Sequence, residues 1–206
     1  MQNTSHAVMS QRGDPLDSPD DFPTPPWATR ALLKHTLADY RLDTMSCLEP
    51  ACGVGHMSRV LEESFGSVES SDAYYYGHGQ IRDYLSHPFP AKSVDWVITN
   101  PPFRLAEEFI QRSFAIARVG VAILARTVFL ESVGRYERIF SHSPPTTFAQ
   151  FVERVPMVRG RLDGRATTAT GYSWFVWELD SKTHSRLAWI PPCRRALERP
   201  GDYTNP

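Results

Sequence analysis

Two short segments of this 206-residue chain carry residue types that could do chemistry, and each follows a hydrophobic run. The first is Leu48-Glu49-Pro50-Ala51-Cys52-Gly53-Val54-Gly55. Glycines in this spacing let the backbone turn tightly and approach a ligand, but a dinucleotide fingerprint wants a third glycine at position 58, where Ser58 stands. Glu49, directly before the loop, would repel a pyrophosphate, so a ligand here should be cationic or zwitterionic on that side. Asp72 stands 19 residues after Gly53, the spacing at which an acidic side chain accepts hydrogen bonds from a ribose diol. A nucleoside joined to a positive charge describes S-adenosylmethionine. Taken alone, the same glycines also make an ordinary tight turn.

The second segment is Asp95-Trp96-Val97-Ile98-Thr99-Asn100-Pro101-Pro102-Phe103. It suits an exocyclic amine. The Asn100 side-chain oxygen and the Pro101 carbonyl can accept both N–H groups of a planar amine, and Pro101 and Pro102 fix the backbone so that the acceptors converge. Phe103 offers a ring on which a base can stack. The bland reading is a double-proline turn that ends a strand.

The elements that would position these segments follow from the apolar pattern. A helix is expected after Thr24, which would cap it, with Pro25 and Pro26 in the first turn, Leu33, Leu37 and Tyr40 on one face, and an end near Arg41. Met45 to Leu48 reads as a buried strand, Met57 to Phe65 as a helix and Ser67 to Ser71 as a strand ending at Asp72. Ser93 to Thr99 reads as the strand leading into Asn100. Ala106, Phe109, Ile110, Ser113, Phe114 and Ala117 keep helical spacing, and Val119 to Ala125 is a further strand. Strands alternating with helices imply an α/β fold, a mostly parallel sheet with helices on both faces. Residues 141–171 break the rhythm with Pro144, Pro145, Pro156, Gly160, Gly164 and Gly171, and carry Arg154, Arg159, Arg161 and Arg165; they read as an Arg-rich excursion loop. Tyr172 to Leu179 reads as a late strand. The expected organisation is a flexible arm over 1–21, one domain over 22–190 and a tail over 191–206.

Composition narrows the class. With 41% hydrophobic and 22% charged residues the chain is globular in type, and apolar runs such as Val121–Ala125 fall far short of the roughly 20 residues that a membrane helix needs. A cytoplasmic protein with no membrane contact is expected. Three cysteines without C-x-x-C spacing suggest reduced thiols, with Cys52 as packing, and the seven histidines lack metal spacing, so no metal is expected. His56 and His78 read as ordinary loop or helix-end residues beside the glycine loop. The net charge of −1 conceals 7 bases against 13 acids in residues 1–100, and 15 bases against 10 acids in residues 101–206. Nineteen of the 22 bases are Arg, which suits bidentate phosphate or base contacts; genomic bias toward Arg explains the same numbers.

Asn100-Pro101-Pro102-Phe103 downstream of Glu49-Pro50-Ala51-Cys52-Gly53-Val54-Gly55 resembles the amino-group DNA methyltransferases, in particular the N6-adenine branch. The resemblance implies a Rossmann-like methyltransferase domain that uses S-adenosylmethionine. It implies that Thr24-Pro25-Pro26-Trp27 packs against the methionine end of the cofactor, and that Glu49, Pro50, Ala51, Gly53, Gly55, Asp72 and Ala73 line its site. It further implies that Asp83, beside Tyr84, accepts from the cofactor's adenine amino group, and that Asn100, Pro101, Pro102 and Phe103 hold a flipped target adenine. Such enzymes usually carry a large target-recognition domain. Here only the 141–171 excursion and the tail remain, so recognition is minimal, or a homo-oligomer or accessory subunit supplies it, as in restriction-modification systems. Arg154, Arg159, Arg161 and Arg165, with the aromatics Tyr172, Trp174, Phe175 and Trp177, are the candidate DNA contacts. Cytosine-N4 DNA, RNA guanine-N2 and protein glutamine methyltransferases carry similar motifs, and a noncatalytic nucleic-acid-binding subunit is the reading from another class.

Overall fold

The computed structural model describes residues 21–181 and 184–203. Of the expected arm over 1–21, residues 1–20 lie outside them, and Asp21 lines the cavity described below. Eight strands form one sheet: β1 (Ser46–Glu49), β2 (Ser67–Asp72), β3 (Gln80–Ile81), β4 (Val94–Thr99), β5 (Ala117–Arg126), β6 (Thr147–Phe151), β7 (Tyr172–Glu178) and β8 (Arg186–Ile190). Their order is β3-β2-β1-β4-β5-β7-β6-β8. β1 pairs in parallel with both β2 and β4, β4 with β5, β2 with β3 and β6 with β8, whereas β7 runs antiparallel to β5 and β6.

Helices α1 (Pro26–His35) and α2 (His56–Glu62) cover one face of the sheet, and α3 (Ala106–Ile116) covers the other. Alternation within single strands makes this sorting. Trp96, Ile98, Ala122, Leu124, Trp174 and Val176 pack under Trp27, Leu32, Met57 and Leu61. Val97, Val121, Ile123, Phe175 and Trp177 pack under Phe109 and Ile110. A strand buried on both faces loses the polar half of its alternation, which is why β4 and β5 read as continuous apolar runs.

Several expectations are corrected. Thr24 does not cap α1: the N-cap is Pro25, without a side-chain bond, because the Thr24 hydroxyl is engaged elsewhere. The helix stops at His35 rather than near Arg41, yet Leu37 stays fully buried and Tyr40 meets Trp96 edge-on at 5.1 Å, so the apolar spacing was right while the winding was not. The 141–171 segment is not all loop, since Thr147, Ala149 and Phe151 point inward and build β6 between β7 and β8. Residues 191–203 are not all irregular tail. The short helix α4 (Arg194–Leu197) docks on α1 through Arg30, whose guanidinium bonds the carboxylates of Glu63 and Asp202 at 2.8–3.1 Å and the Leu197 carbonyl at 2.9 Å. Burying Arg30 is tolerable because five charge-assisted or carbonyl bonds replace its water.

Candidate functional site

Because β1, β2 and β4 are parallel neighbours, their carboxyl ends open on one edge of the sheet. The chain leaves β1 toward β2 on one side and reaches β4 on the other, which makes the gap between β1 and β4 a topological switch point, where open α/β sheets bind ligands. A cavity of about 320 Å³ lies there. Glu49 enters it from the end of β1, Asp72 from the end of β2 and Asn100 from just past β4.

The turn from β1 into α2 is the one that the two glycines predict. Gly53 and Gly55 have φ of +50° and +86°, and a Cβ on Gly55 would sit 2.5 Å from the His78 ring, so no larger residue fits. His78 therefore packs on the loop and stays out of the cavity, while His56 lines it. Burial and neighbouring Arg59 push the His56 imidazole down to about 4, so it is neutral.

Among the described residues, four carboxylates line this space, Asp21, Glu49, Asp72 and Asp83, and no Lys or Arg does. Glu49 is 2% exposed and accepts from the Ser58 hydroxyl, which in turn accepts from Ser70 at 2.8 Å. Ser58, where a dinucleotide site would have glycine, thus serves Glu49. Burial, reinforced by Asp72 and Glu62, pushes the Glu49 carboxyl up to about 8. Asp72 accepts from the Gly53 N–H at 2.9 Å and the Tyr74 N–H at 3.1 Å, and burial raises it against those bonds. Asp21 is raised by burial and by Asp72, and Arg159 relieves it in part. Burial thus disfavours the charged form of Asp21, Glu49 and Asp72, and a nearby positive charge would favour it.

Asp83 accepts from the Leu85 N–H at 3.0 Å and the Ser86 hydroxyl at 2.8 Å, and so keeps its turn in shape. Tyr84 is buried against Phe109, ring centroids 4.8 Å apart, with its hydroxyl 2.9 Å from Ser113. Thr24, Pro50, Ala51, Gly53 and Ala73 complete the expected lining. Pro25, Gly55 and Trp27 fall outside it. Trp27 is wholly buried and packs edge-on against Phe151 at 5.6 Å, so it is a core residue rather than a wall of the cavity.

The Asn100 amide is held firmly on one side. Its Nδ2 donates to the Phe22 carbonyl at 2.8 Å and to Thr24 Oγ1 at 3.1 Å, with Met157 Sδ at 3.9 Å. Its Oδ1 is buried without a hydrogen-bond partner. An orphaned acceptor costs about 1–3 kcal/mol, so Oδ1 holds an unused hydrogen-bonding capacity.

Pro101 and Phe103 do not line the large cavity but a cleft of about 40 Å³ shared with Arg126, Val128, Phe129 and Arg135. The Phe103 ring stacks on Phe22 at 5.3 Å, and the Arg126 guanidinium lies 5.1 Å from its centroid. Arg126 and Arg135, invisible as site residues in the sequence, thereby join the Asn-Pro-Pro-Phe loop. The Arg154 guanidinium comes within 3.0 Å of where a Gly171 side chain would start, beside Thr127. Arg161 pairs with Asp163 at 3.3 Å within its own loop, and Arg165 is exposed. Tyr172, Trp174, Phe175 and Trp177 are each no more than 5% exposed, which corrects their assignment as DNA contacts: β7 lies inside the sheet, and both its faces are covered. Among the described residues, no cluster of three or more His, Cys, Asp or Glu could hold a metal ion. No described helix is long and apolar enough to cross a membrane.

No family model matches the chain, and no curated protein matches its sequence. Solved structures do match in three dimensions. A protein of Vibrio vulnificus YJ016, described as a modification subunit of a type I restriction enzyme, superposes with a TM-score of 0.58 at 18% identity, covering 81% of this chain and 47% of its own. A protein of Listeria monocytogenes described as a class I S-adenosylmethionine-dependent methyltransferase gives 0.58 at 12% identity, covering 87% and 68%. One of Pyrococcus horikoshii described as an RNA methyltransferase gives 0.53 at 16%, covering 74% and 83%. The chain has the Rossmann-like methyltransferase fold. It spans about half the length of the modification subunit.

Proposed function

We propose that this protein transfers a methyl group from S-adenosylmethionine to the exocyclic N6 amino group of adenine in DNA. The observation that carries the reading is Asn100, a residue that lines the cavity with its oxygen buried and unpartnered and its nitrogen committed to Phe22 and Thr24. The donor set fits the cofactor. Glu49 and Asp72 suit an ammonium and a ribose diol, Asp83 suits an adenine amino group, and the acidic lining suits a sulfonium. When bound, S-adenosylmethionine supplies a methyl group activated for direct displacement by an amine nitrogen.

The chain's own residues prepare that amine. A target adenine must leave the base stack, because N6 inside a duplex is out of reach. Asn100 Oδ1 and the Pro101 carbonyl accept its two N–H bonds, draw the nitrogen lone pair out of ring conjugation and aim it toward the cavity. No side chain needs to form a covalent intermediate, and the surplus proton passes to water. Phe103, backed by Phe22 and Arg126, gives the base an aromatic edge and a cation at the entrance. The basic second half of the chain supports DNA as the partner.

The test is transfer of a tritiated methyl group from the cofactor to DNA, RNA and protein offered in parallel. Label in DNA alone is expected. Label in RNA or protein alone would replace the reading with one of the sibling activities, and cofactor binding without transfer to any polymer would favour a noncatalytic subunit.

A further inference from the structure

We infer that Thr24 is a positioning residue for Asn100, fixing which end of its amide faces the substrate. The inference rests on the amine-binding reading above. An asparagine amide is nearly symmetric in shape, and a half-turn about its last bond exchanges oxygen for nitrogen. With the nitrogen toward the cavity, two N–H donors would confront the two N–H donors of the target amine, and the site would repel what it should bind.

The segment Phe22-Pro23-Thr24-Pro25-Pro26 excludes that state. The Phe22 carbonyl, 2.8 Å from Nδ2, can only accept, so a flipped amide would set oxygen against oxygen there. The Thr24 hydroxyl takes the second Nδ2 hydrogen at 3.1 Å. Two partners in different directions fix the plane of the amide, which one partner cannot do. Three prolines around the pair restrict the backbone, so both acceptors are set in place before substrate arrives. Phe22 also stacks on Phe103, so the segment is pinned to both ends of the Asn100–Phe103 loop. Thr24 is only 4% exposed, too buried for its hydroxyl to exchange Asn100 for bulk water.

Thr24→Val keeps the shape and removes the acceptor; Thr24→Ser restores it. With cofactor and DNA both saturating, so that any loss of cofactor affinity drops out, kcat of Thr24→Val should fall about tenfold, the order of one positioning hydrogen bond. Thr24→Ser should stay within about twofold of the parent. The second readout needs no turnover. In nitrogen-15-labelled, cofactor-free protein, the Asn100 side-chain hydrogens should exchange with solvent slowly, and Thr24→Val should speed the exchange of one of them. Should Thr24→Val fail to fold by thermal melting, Thr24→Ala takes its place in both measurements. Unchanged exchange, or wild-type kcat in Thr24→Val beside an inactive Asn100→Ala, overturns the proposal. Retained turnover in Asn100→Ala would instead sink the amine-binding reading, and the exchange data would then decide the orientation of the amide by themselves.

Discussion

The two sides of the Asn100–Phe103 loop are opposites. On one side lies the cavity of about 320 Å³, lined among the described residues by Asp21, Glu49, Asp72 and Asp83 and by no Lys or Arg; on the other, a cleft of about 40 Å³ is bordered by Phe103, Arg126 and Arg135. Burial pushes Asp21, Glu49 and Asp72 upward, and Arg159 offsets only part of the effect on Asp21. Across the loop, Arg126 rests on the Phe103 ring and Arg135 on Phe129. The cavity thus collects carboxylates, while the cleft holds two guanidiniums on aromatic rings, Arg135 also pairing with Glu107 at 3.2 Å. One loop touches both, and in a group transfer the acceptor must meet the donor there.

The contrast can be broken most severely at the loop itself. Asn100→Ala should lower turnover roughly 100- to 1,000-fold, by analogy with removing one preorganised hydrogen-bonding group, while leaving cofactor affinity nearly intact. Single-turnover kinetics beside a binding titration check both halves. On the acidic side, Asp72→Ala should weaken binding of S-adenosylhomocysteine by about 1.5–3 kcal/mol, or roughly 10- to 140-fold, read by calorimetry. Unchanged affinity would reassign Asp72 to holding the Gly53 and Tyr74 N–H groups alone.

A subtler measurement follows from Glu49. With its carboxyl at about 8 in the free protein, Glu49 is mostly protonated at neutral pH and must ionise to meet a positive ligand. Binding of S-adenosylmethionine should therefore release a proton, and affinity should rise about tenfold between pH 7 and 9. Titrations in buffers of different ionisation heat detect the proton, and Glu49→Gln should abolish the slope. The same shift acts on folding with the opposite sense. The raised carboxyl stabilises the folded state fully below the unfolded value, and that contribution is lost as pH climbs toward 8.

On the basic side the smallest effect is expected from the exposed loop. Replacing Arg154, Arg159, Arg161 and Arg165 together by Gln should weaken DNA binding on all sequences alike, and should flatten the salt dependence by about 0.9 in logarithmic slope per lost phosphate contact. A change in which sequences are methylated would assign some of them to base edges instead.

The two sides also differ in how far the sequence revealed them. The acidic side was legible in part: 49–55 and 72–73 follow expected strands, whereas Asp83 is reached only through the family resemblance and Asp21 falls in the expected arm. β4, β5 and α3 were legible from their apolar pattern. Thr24 was read as a helix cap, and its bond to Asn100 spans 76 residues, which no local pattern encodes. Arg126 and Arg135 meet Phe103 only through the closing of the sheet. β6 alternates well enough, but Pro144, Pro145 and Pro156 around it read as loop, and β8 leaves Leu187 and Trp189 exposed on an edge strand, where burial cannot mark it.

The most direct test of the account is the chemical identity of the product. Duplex DNA treated with the protein and S-adenosylmethionine, digested to nucleosides and weighed by mass spectrometry, should contain N6-methyl-2′-deoxyadenosine, and DNA treated with Asn100→Ala should contain almost none. N4-methyl-2′-deoxycytidine in its place, or no methylated nucleoside from a protein that binds the cofactor, would contradict the assignment of Asn100 to an adenine amine.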